Sequence, residues 1–308
     1  MDIIISREQN HKTVGQVLRG DLAFSGAIIS LLKKTPDGIL LNGSHATVRN
    51  VVEFRDVLSL RYKDAASAVK ESTVLPVDIP LDILYQDDDI ILINKSHELL
   101  THPAHEHQTD TLANGLVYLA ERIGSPYIVR PINRLDVGTS GLVLVAKNKL
   151  SAYRLSEAMK SGKIHKSYFA VLCGSPASEN GEYRDYIRRD TAGKMRRVLC
   201  SAEEQDAAVA LTRYRTLASN SLFSAVLAAP ITGRTHQLRV QFSEHGTPIC
   251  GDTLYGYPFE LIDRQALHAI RLSFPHPSSG KMLRFTAPLP ADISFLCSQI
   301  FGTVDFPI

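Results

Sequence analysis

The chain has little cysteine, no apolar run long enough to cross a bilayer, and almost no net charge. Its four cysteines, Cys173, Cys200, Cys250 and Cys297, stand far apart in a sequence of 308 residues. None of the short spacings of a zinc site or a dithiol motif is present. They read as free thiols that form no metal or redox pair, in keeping with a reducing cytosol. No segment reaches the roughly 20 apolar residues of a membrane helix. The opening Met1-Asp2-Ile3-Ile4-Ile5 is too short and too quickly polar for a secretory signal. The expectation is a soluble, cytoplasmic protein with no membrane partner. There is no internal repeat and no low-complexity tract. A formal charge of +2 neither demands nor excludes nucleic acid, because a local basic face matters more than the total. What is present is apolar content, 44% of residues, ample for a core spread over one or two domains.

Residues 1–75 carry no chemical motif and read as a short α/β unit. Residues 14–34 have helical apolar spacing with a break at Ser25-Gly26, and residues 38–43 read as a strand entering a turn. Residues 48–60 predict one or two further strands, and residues 64–80 a linker. Residues 83–95 then read strand, acidic turn, strand. Helical spacing recurs at 111–122 and 150–160, and strands are expected at 166–172, 222–227, 271–274 and 283–286. Thr235 is placed to cap a helix that Gly246 terminates, with Leu238 and Phe242 on one face, and a last helix starts near Ala291. Strands outnumber helices and connections vary in length. The fold class is therefore α+β, with a mixed, largely antiparallel sheet flanked by helices.

The segment Asn133-Arg134-Leu135-Asp136-Val137-Gly138-Thr139-Ser140-Gly141 sets one carboxylate before a Gly/Thr/Ser turn, and the apolar run Leu142-Val143-Leu144-Val145-Ala146 follows. An acid on a tight loop at the mouth of a buried strand is rigid and partly dry, which suits covalent or acid–base chemistry. It equally suits a turn acid that accepts hydrogen bonds from neighbouring backbone N–H groups. Arg184, Arg188, Arg189, Lys194, Arg196 and Arg197 cluster around a Thr-Ala-Gly turn. This is either a solvated charged face or a loop that grips phosphates. His102, His105, His107 and Asp110 resemble a metal set, but the segment contains a proline and has no companion cysteine pair, so no metal is expected. Ser140 with His236 lacks the nucleophile-elbow pattern of a serine hydrolase.

A second group of segments bears on Asp136. Ile231-Thr232-Gly233-Arg234-Thr235-His236-Gln237-Leu238-Arg239-Val240 is followed by Glu244-His245-Gly246-Thr247-Pro248-Ile249-Cys250-Gly251-Asp252, then Tyr255-Gly256 and Leu267-His268-Ala269. Together with Arg134-Leu135-Asp136 and Lys166-Ser167-Tyr168, they resemble the signature segments of the RluA family of RNA pseudouridine synthases, from about Ile83 to about Pro290. The resemblance implies a pseudouridine synthase fold over residues 76–308, preceded by a small S4-like RNA-binding domain over 1–75. Lys33, Lys34, Arg49 and Arg61 are that domain's candidate phosphate contacts.

The implied reaction breaks the C1′–N1 bond of a uridine and rejoins the rotated uracil through C5. It needs no redox step and no external group, so no cofactor is expected. By the resemblance Asp136 is the reactive carboxylate, Arg239 the arginine paired with it, and Tyr168 the ring that stacks on the uracil. Attack at C1′, attack at C6 and a glycal route all stay open. Lys166 lies two residues from Tyr168, on the same strand face, and would support the site or contact phosphate. Leu238 would pack on the other face of the base. Arg134 would fill the space left by a flipped nucleotide, and Arg188, Arg189, Arg196 and Arg197 would hold backbone phosphates. Three positions depart from the family pattern. Asn133 stands where histidine is usual, Ser96-His97-Glu98 replaces a Pro/Gly loop after Asn94-Lys95, and Val137-Gly138 replaces a pair that is commonly charged. The implied partner is ribosomal or transfer RNA and the expected state a monomer. The competing readings are a catalytically idle RNA-binding relative acting in ribosome assembly, and a metal-dependent hydrolase built on the histidine loop.

Overall fold

The computed structural model describes residues 1–22, 24–61, 74–104, 107–124, 127–191, 196–303 and 305–307. In the N-terminal part, β1 (Asp2–Ile4), β2 (Ile39–Leu41), β3 (Ser44–His45) and β4 (Val57–Leu60) form an antiparallel sheet in the order β1-β4-β2-β3. The expected helix break at Ser25-Gly26 is there. A short helix α1 (Val14–Gln16) runs into a π turn (Val17–Asp21), and α2 (Gly26–Lys34) starts afresh, its N-terminus capped by Ser25. Ile5, Val14, Leu18, Ile29, Leu32 and Leu58 make a core separate from the rest of the molecule, except that Leu150 and Tyr153 enter it from outside.

Most of the predicted linker lies outside the described residues. Its end is packed rather than free. Asn114 Nδ2 donates to the Leu75 carbonyl, and Val77 N donates to that of Asn114.

The larger sheet is built from β5 (Ile83–Gln86), β6 (Ile90–Lys95), β7 (Arg130–Pro131), β8 (Ser140–Ala146), β9 (His165–Cys173), β10 (Asn180–Arg189), β11 (Arg197–Cys200), β12 (Ala208–Ser219), β13 (Phe223–Pro230), β14 (Leu267–Pro275) and β15 (Met282–Thr286). Its order is β11-β10-β12-β13-β9-β14-β8-β6-β5, with β15 on β14 and β7 on β8. Among the described pairings only β8 with β14 is parallel, so the sheet is mixed and largely antiparallel, as the sequence indicated. Its helices are α3 (Leu112–Arg122), α4 (Lys149–Lys160), α5 (Gln237–Glu244) and α6 (Ala291–Phe301).

The unbroken apolar run of β8 has a simple cause. Val143 and Val145 pack in one core with Leu112 and Leu116 of α3, whereas Leu142 and Leu144 pack in another with Leu155 and Ala158 of α4. A strand covered on both faces has no need of alternation. The loop that carries Asp136 leads directly into this strand, the most deeply buried of the sheet.

The basic residues expected around a Thr-Ala-Gly turn stand on two antiparallel strands that flank it: Arg184, Arg188 and Arg189 on β10 and Arg197 on β11, with Arg189 opposite Arg197, while residues 192–195 lie outside the described residues. The polar residues of β10 gave no apolar run, yet it pairs along most of its length with β12. Two expectations are corrected. Thr235 does not cap α5; the N-cap is His236, in the left-handed region at φ 57°, with no side-chain cap bond, while Gly246 at φ 82° ends the helix as expected. The cysteines are not all apart. The antiparallel bridge between Leu172 and Ile249 brings the free thiols Cys173 and Cys250 to a sulfur–sulfur distance of 2.9 Å.

Candidate active site

The backbone of the Asp136 loop is tied to several other parts of the chain. Asn133 is buried and donates to the Leu142 carbonyl of β8 while accepting from Leu144 N. Thr101 Oγ1 donates to the Leu135 carbonyl at 3.3 Å. Gly138 N donates to the His97 carbonyl, and Thr139 N to that of Asp136. From below, Arg264 Nη1 donates to the Gly138 carbonyl, and Gln265 Nε2 donates to Val137 O and Thr139 Oγ1. Gly138 itself has φ +79°, and a Cβ there would stand 2.6 Å from Gln265 Oε1, so the position admits no other residue unstrained. The departures from the family pattern at 133 and 97 thus stitch the loop through side-chain amide and main-chain bonds.

Above this frame the Asp136 carboxylate keeps 30% of its side-chain exposure. Arg239 Nη1 lies 3.8 Å from its Oδ2, and His236 Nε2 lies 3.9 Å from the same oxygen. The closer partner of Arg239 is Asp252, bound in a fork by Nε and Nη2 at 2.7 Å each. Arg239 and Asp252 keep 9% and 1% of their side-chain exposure, so of these ions only Asp136 is open to a substrate. Burial opposes the Arg239 charge, but the Asp252 hydrogen bonds and the two carboxylate charges outweigh it and hold the guanidinium pKa above its usual value.

Tyr168, on β9, is buried beside this group. Burial raises its phenol pKa well above the ordinary value, and the Asp136 charge adds to the effect, so it stays neutral. Leu238, one residue before Arg239 on α5, is buried in the same apolar cluster as Tyr168. Lys95, at the end of β6, is 1% exposed, and its Nζ donates to the Ser96 and Leu99 carbonyls. Burial, helped by Arg264 and opposed by Asp136, lowers its pKa to about 7.

The family model for RNA pseudouridylate synthase matches residues 89–244. An uncharacterized RNA pseudouridine synthase of Bacillus subtilis (strain 168) is 36% identical over 277 residues, covering 90% of this chain and 95% of that protein. The chain belongs to the RNA pseudouridylate synthase family. A Xanthomonas campestris member named ribosomal large subunit pseudouridine synthase D is 31% identical over 90% of this chain and 85% of its own length. The solved structure of human RNA pseudouridylate synthase domain containing 4 superposes with a TM-score of 0.59 at 25% identity, over 71% of this chain and 92% of that one. This chain is accordingly an enzyme, an RNA pseudouridine synthase of the RluA type, and RNA is its partner.

The other residues singled out in the sequence sit around the synthase site in different ways. Arg134 is exposed next to Asp136. Lys166 Nζ lies against Gly233, 3.5 Å from where a Cβ would be, and burial lowers its pKa. On the β10–β11 arm, Arg189 is exposed, Arg188 is already paired with Glu204 at 2.8 Å, and Arg196 lies over the Tyr255 ring at 5.3 Å. Lys194 lies outside the described residues. So does His105, while His107 Nδ1 pairs with Asp110 at 2.5 Å on the surface. Ser140 bonds His268 Nδ1 at 2.9 Å rather than His236. Among the described residues, the His/Asp group close enough to share an ion is Asp87, Asp89 and His276. Its carboxylates already accept bonds from Tyr85, His276, Ser151, Asn148 and Ser278, which stitch the β5–β6 turn to the start of α4 and to the β14–β15 turn.

Sequence reasoning assigned no role to Asp252, Tyr255, Arg264, Gln265 or Lys95. Asp252 and Tyr255 lie within the quoted motifs, and a carboxylate inside an otherwise apolar and glycine-rich stretch was the available signal. Arg264 and Gln265 stand in a polar connection with none.

Proposed function

We propose that this synthase isomerises uridines of ribosomal RNA through Asp136. The observation that carries the reading is the arrangement of charge. Asp136 is the exposed acid of a three-ion group whose arginine is fixed from behind by a buried aspartate. An isolated carboxylate in a dry site takes up a proton and loses its reactivity; a guanidinium beside it opposes that. Asp252 leaves Arg239 one nitrogen for Asp136, too distant for a hydrogen bond and close enough for charge. The reacting oxygen is thus stabilised without being locked, and stays free to attack C1′ or C6 or to take the C2′ proton.

Tyr168 supplies a neutral ring for the detached uracil, and Leu238 an apolar contact. The exposed Arg134 fills the gap left by the extruded nucleotide. The ribosomal assignment follows the name of the Xanthomonas relative. The N-terminal unit, residues 1–75, acts as an S4-like RNA-binding domain, a role supported by the exposed basic residues Lys33, Lys34 and Arg49.

The test is Asp136→Asn, assayed for pseudouridine in ribosomal RNA after deletion of the gene and complementation. The expected result is loss of the modification, with a rate on RNA in vitro at least about a thousandfold lower. A variant that restores the full modification pattern overturns the role of Asp136. Wild-type protein that binds ribosomal RNA yet leaves every uridine unchanged favours an RNA-binding relative acting in ribosome assembly.

A further inference from the structure

We infer that His236 is held in a single neutral tautomer that presents Nε2–H to Asp136, and that Tyr255 and the main chain of the β10–β11 arm set it. The inference rests on the role proposed for Asp136 and adds to the site a positioning device.

The geometry is a chain of three groups. The Arg197 backbone N–H, at the first residue of β11, donates to Tyr255 Oη at 2.7 Å. Tyr255 Oη lies 2.9 Å from His236 Nδ1, and His236 Nε2 lies 3.9 Å from Asp136 Oδ2. Among the described residues, Arg197 N and His236 Nδ1 are the hydrogen-bond partners of that hydroxyl. A phenol has one hydrogen to give. Its oxygen accepts from Arg197; were it to accept from Nδ1 as well, the phenol hydrogen of this buried side chain would have no acceptor among the described residues, so the hydrogen goes to Nδ1, which offers a lone pair. A neutral imidazole with a lone pair on Nδ1 carries its proton on Nε2. The groups that face the ring agree. Burial, Arg239 and Arg197 disfavour a second proton, against the opposing pull of Asp136 and Asp252.

The state matters for the acid. A neutral N–H donor stabilises a carboxylate without making it poorly reactive, as a full imidazolium pair would. The other tautomer would turn a lone pair toward the carboxylate and repel it. The main chain at His236 supports a fixed ring: φ 57° is uncommon for a residue with a side chain and persists only where its surroundings impose it.

Tyr255 also joins the site to the arm through its ring. Arg196 lies over it at 5.3 Å and Arg239 at 5.2 Å. Arg196 Nε is buried with no hydrogen-bond partner among the described residues, and its guanidinium lies over the ring face. An arm displaced from its place withdraws the Arg197 N–H and the Arg196 cation together. Tyr255 Oη then loses its donor and becomes free to accept from Nδ1 as well as to donate to it, so the constraint that distinguishes the two imidazole nitrogens is lost. Contact of the arm with RNA is thereby coupled to the proton pattern beside the reacting oxygen.

The test uses the full-length protein and nitrogen NMR of its histidine side chains, with His236 assigned by its loss in His236→Gln. Wild-type protein near neutral pH is expected to show an unprotonated Nδ1 and a protonated Nε2. In Tyr255→Phe, which keeps the ring between the guanidinium groups, the two signals should move toward averaged values. Single-turnover isomerisation should slow about tenfold, one hydrogen bond's worth, with RNA affinity unchanged and the acid limb of the pH–rate profile shifted upward. A protonated Nδ1 in the wild-type spectrum overturns the inference, whatever the fate of the variant. So does Tyr255→Phe with wild-type His236 signals and an unshifted profile. Neither result bears on Asp136→Asn, so failure of the tautomer and failure of the Asp136 role are read separately.

Discussion

Arg239 commits two nitrogens to Asp252 and has Nη1 left for Asp136, which makes Asp252 the residue that aims the site. Removing one member of a buried ion pair leaves the other charged, dry and unpaired, typically at about 3–5 kcal/mol. Asp252→Asn should lower stability by about that amount in urea unfolding. It should also slow isomerisation by more than the fraction unfolded explains, because the guanidinium can swing onto Asp136 and lock it. A variant with full stability would mean that the Arg239 charge is compensated elsewhere.

Lys95 gives a pH signature of opposite origin. Its folded pKa is lowered to about 7 from 10.5. Below about 7 the lysine is protonated in both states and its contribution is flat. Between 7 and 10.5 the unfolded chain holds the proton that the folded chain has lost, so stability rises with pH across that window. A neutral amine still has two hydrogens, enough for its two carbonyl acceptors. The difference in unfolding free energy between wild type and Lys95→Met should therefore grow in favour of wild type from pH 7 to 10. A constant difference would show that Lys95 stays charged in the folded protein.

The elements that were legible in the sequence share a physical property: each has one partner layer or two, and its side chains say which. Helices α3 and α4 show apolar spacing because one face meets the sheet, and β8 is uniformly apolar because both faces are covered. The β10–β11 arm was not legible as strands. Its residues alternate between exposed and half-buried, and its bonds go to β12, more than twenty residues away along the chain. Its basic residues also differ in a way that spacing does not reveal. Arg188 is neutralised by Glu204 and Arg196 is occupied by Tyr255, whereas Arg189 is exposed. If the arm holds RNA phosphates, Arg189→Ala should reduce the slope of log affinity against log salt by about 0.7–0.9, the release associated with one phosphate contact. Arg188→Ala should change it less, because that charge already has a protein partner. Equal effects from the two would argue that the Glu204 pair opens on binding.

At the scale of the whole molecule, the sequence separated an N-terminal unit without chemical motifs from the rest, and the structure gives that unit its own sheet and core. What the sequence did not carry is the contact between the two parts. Leu150 and Tyr153 belong to α4, whose other apolar residues Leu155 and Ala158 pack on the large sheet, so their apolar character was already accounted for. They instead complete the small core, where Tyr153 meets Phe24 edge-on at 5.8 Å and Leu150 is 6% exposed. A unit of this size buries too little surface to be indifferent to such a contact. Leu150→Ala should cost about 2–5 kcal/mol, and the loss should be local. Hydrogen exchange should accelerate in β1, β2 and β4 while β8, β9 and β14 keep their protection. If the small unit contributes to RNA binding, as proposed, the same variant should weaken affinity for ribosomal RNA while the isomerisation rate on saturating RNA is retained, because the bonds that hold the Asp136 loop among the described residues run to β8, Thr101, His97, Arg264 and Gln265. Equal loss of protection in both sheets would mean that the two parts unfold as one, and α4 would then be a shared structural member, not a docking site.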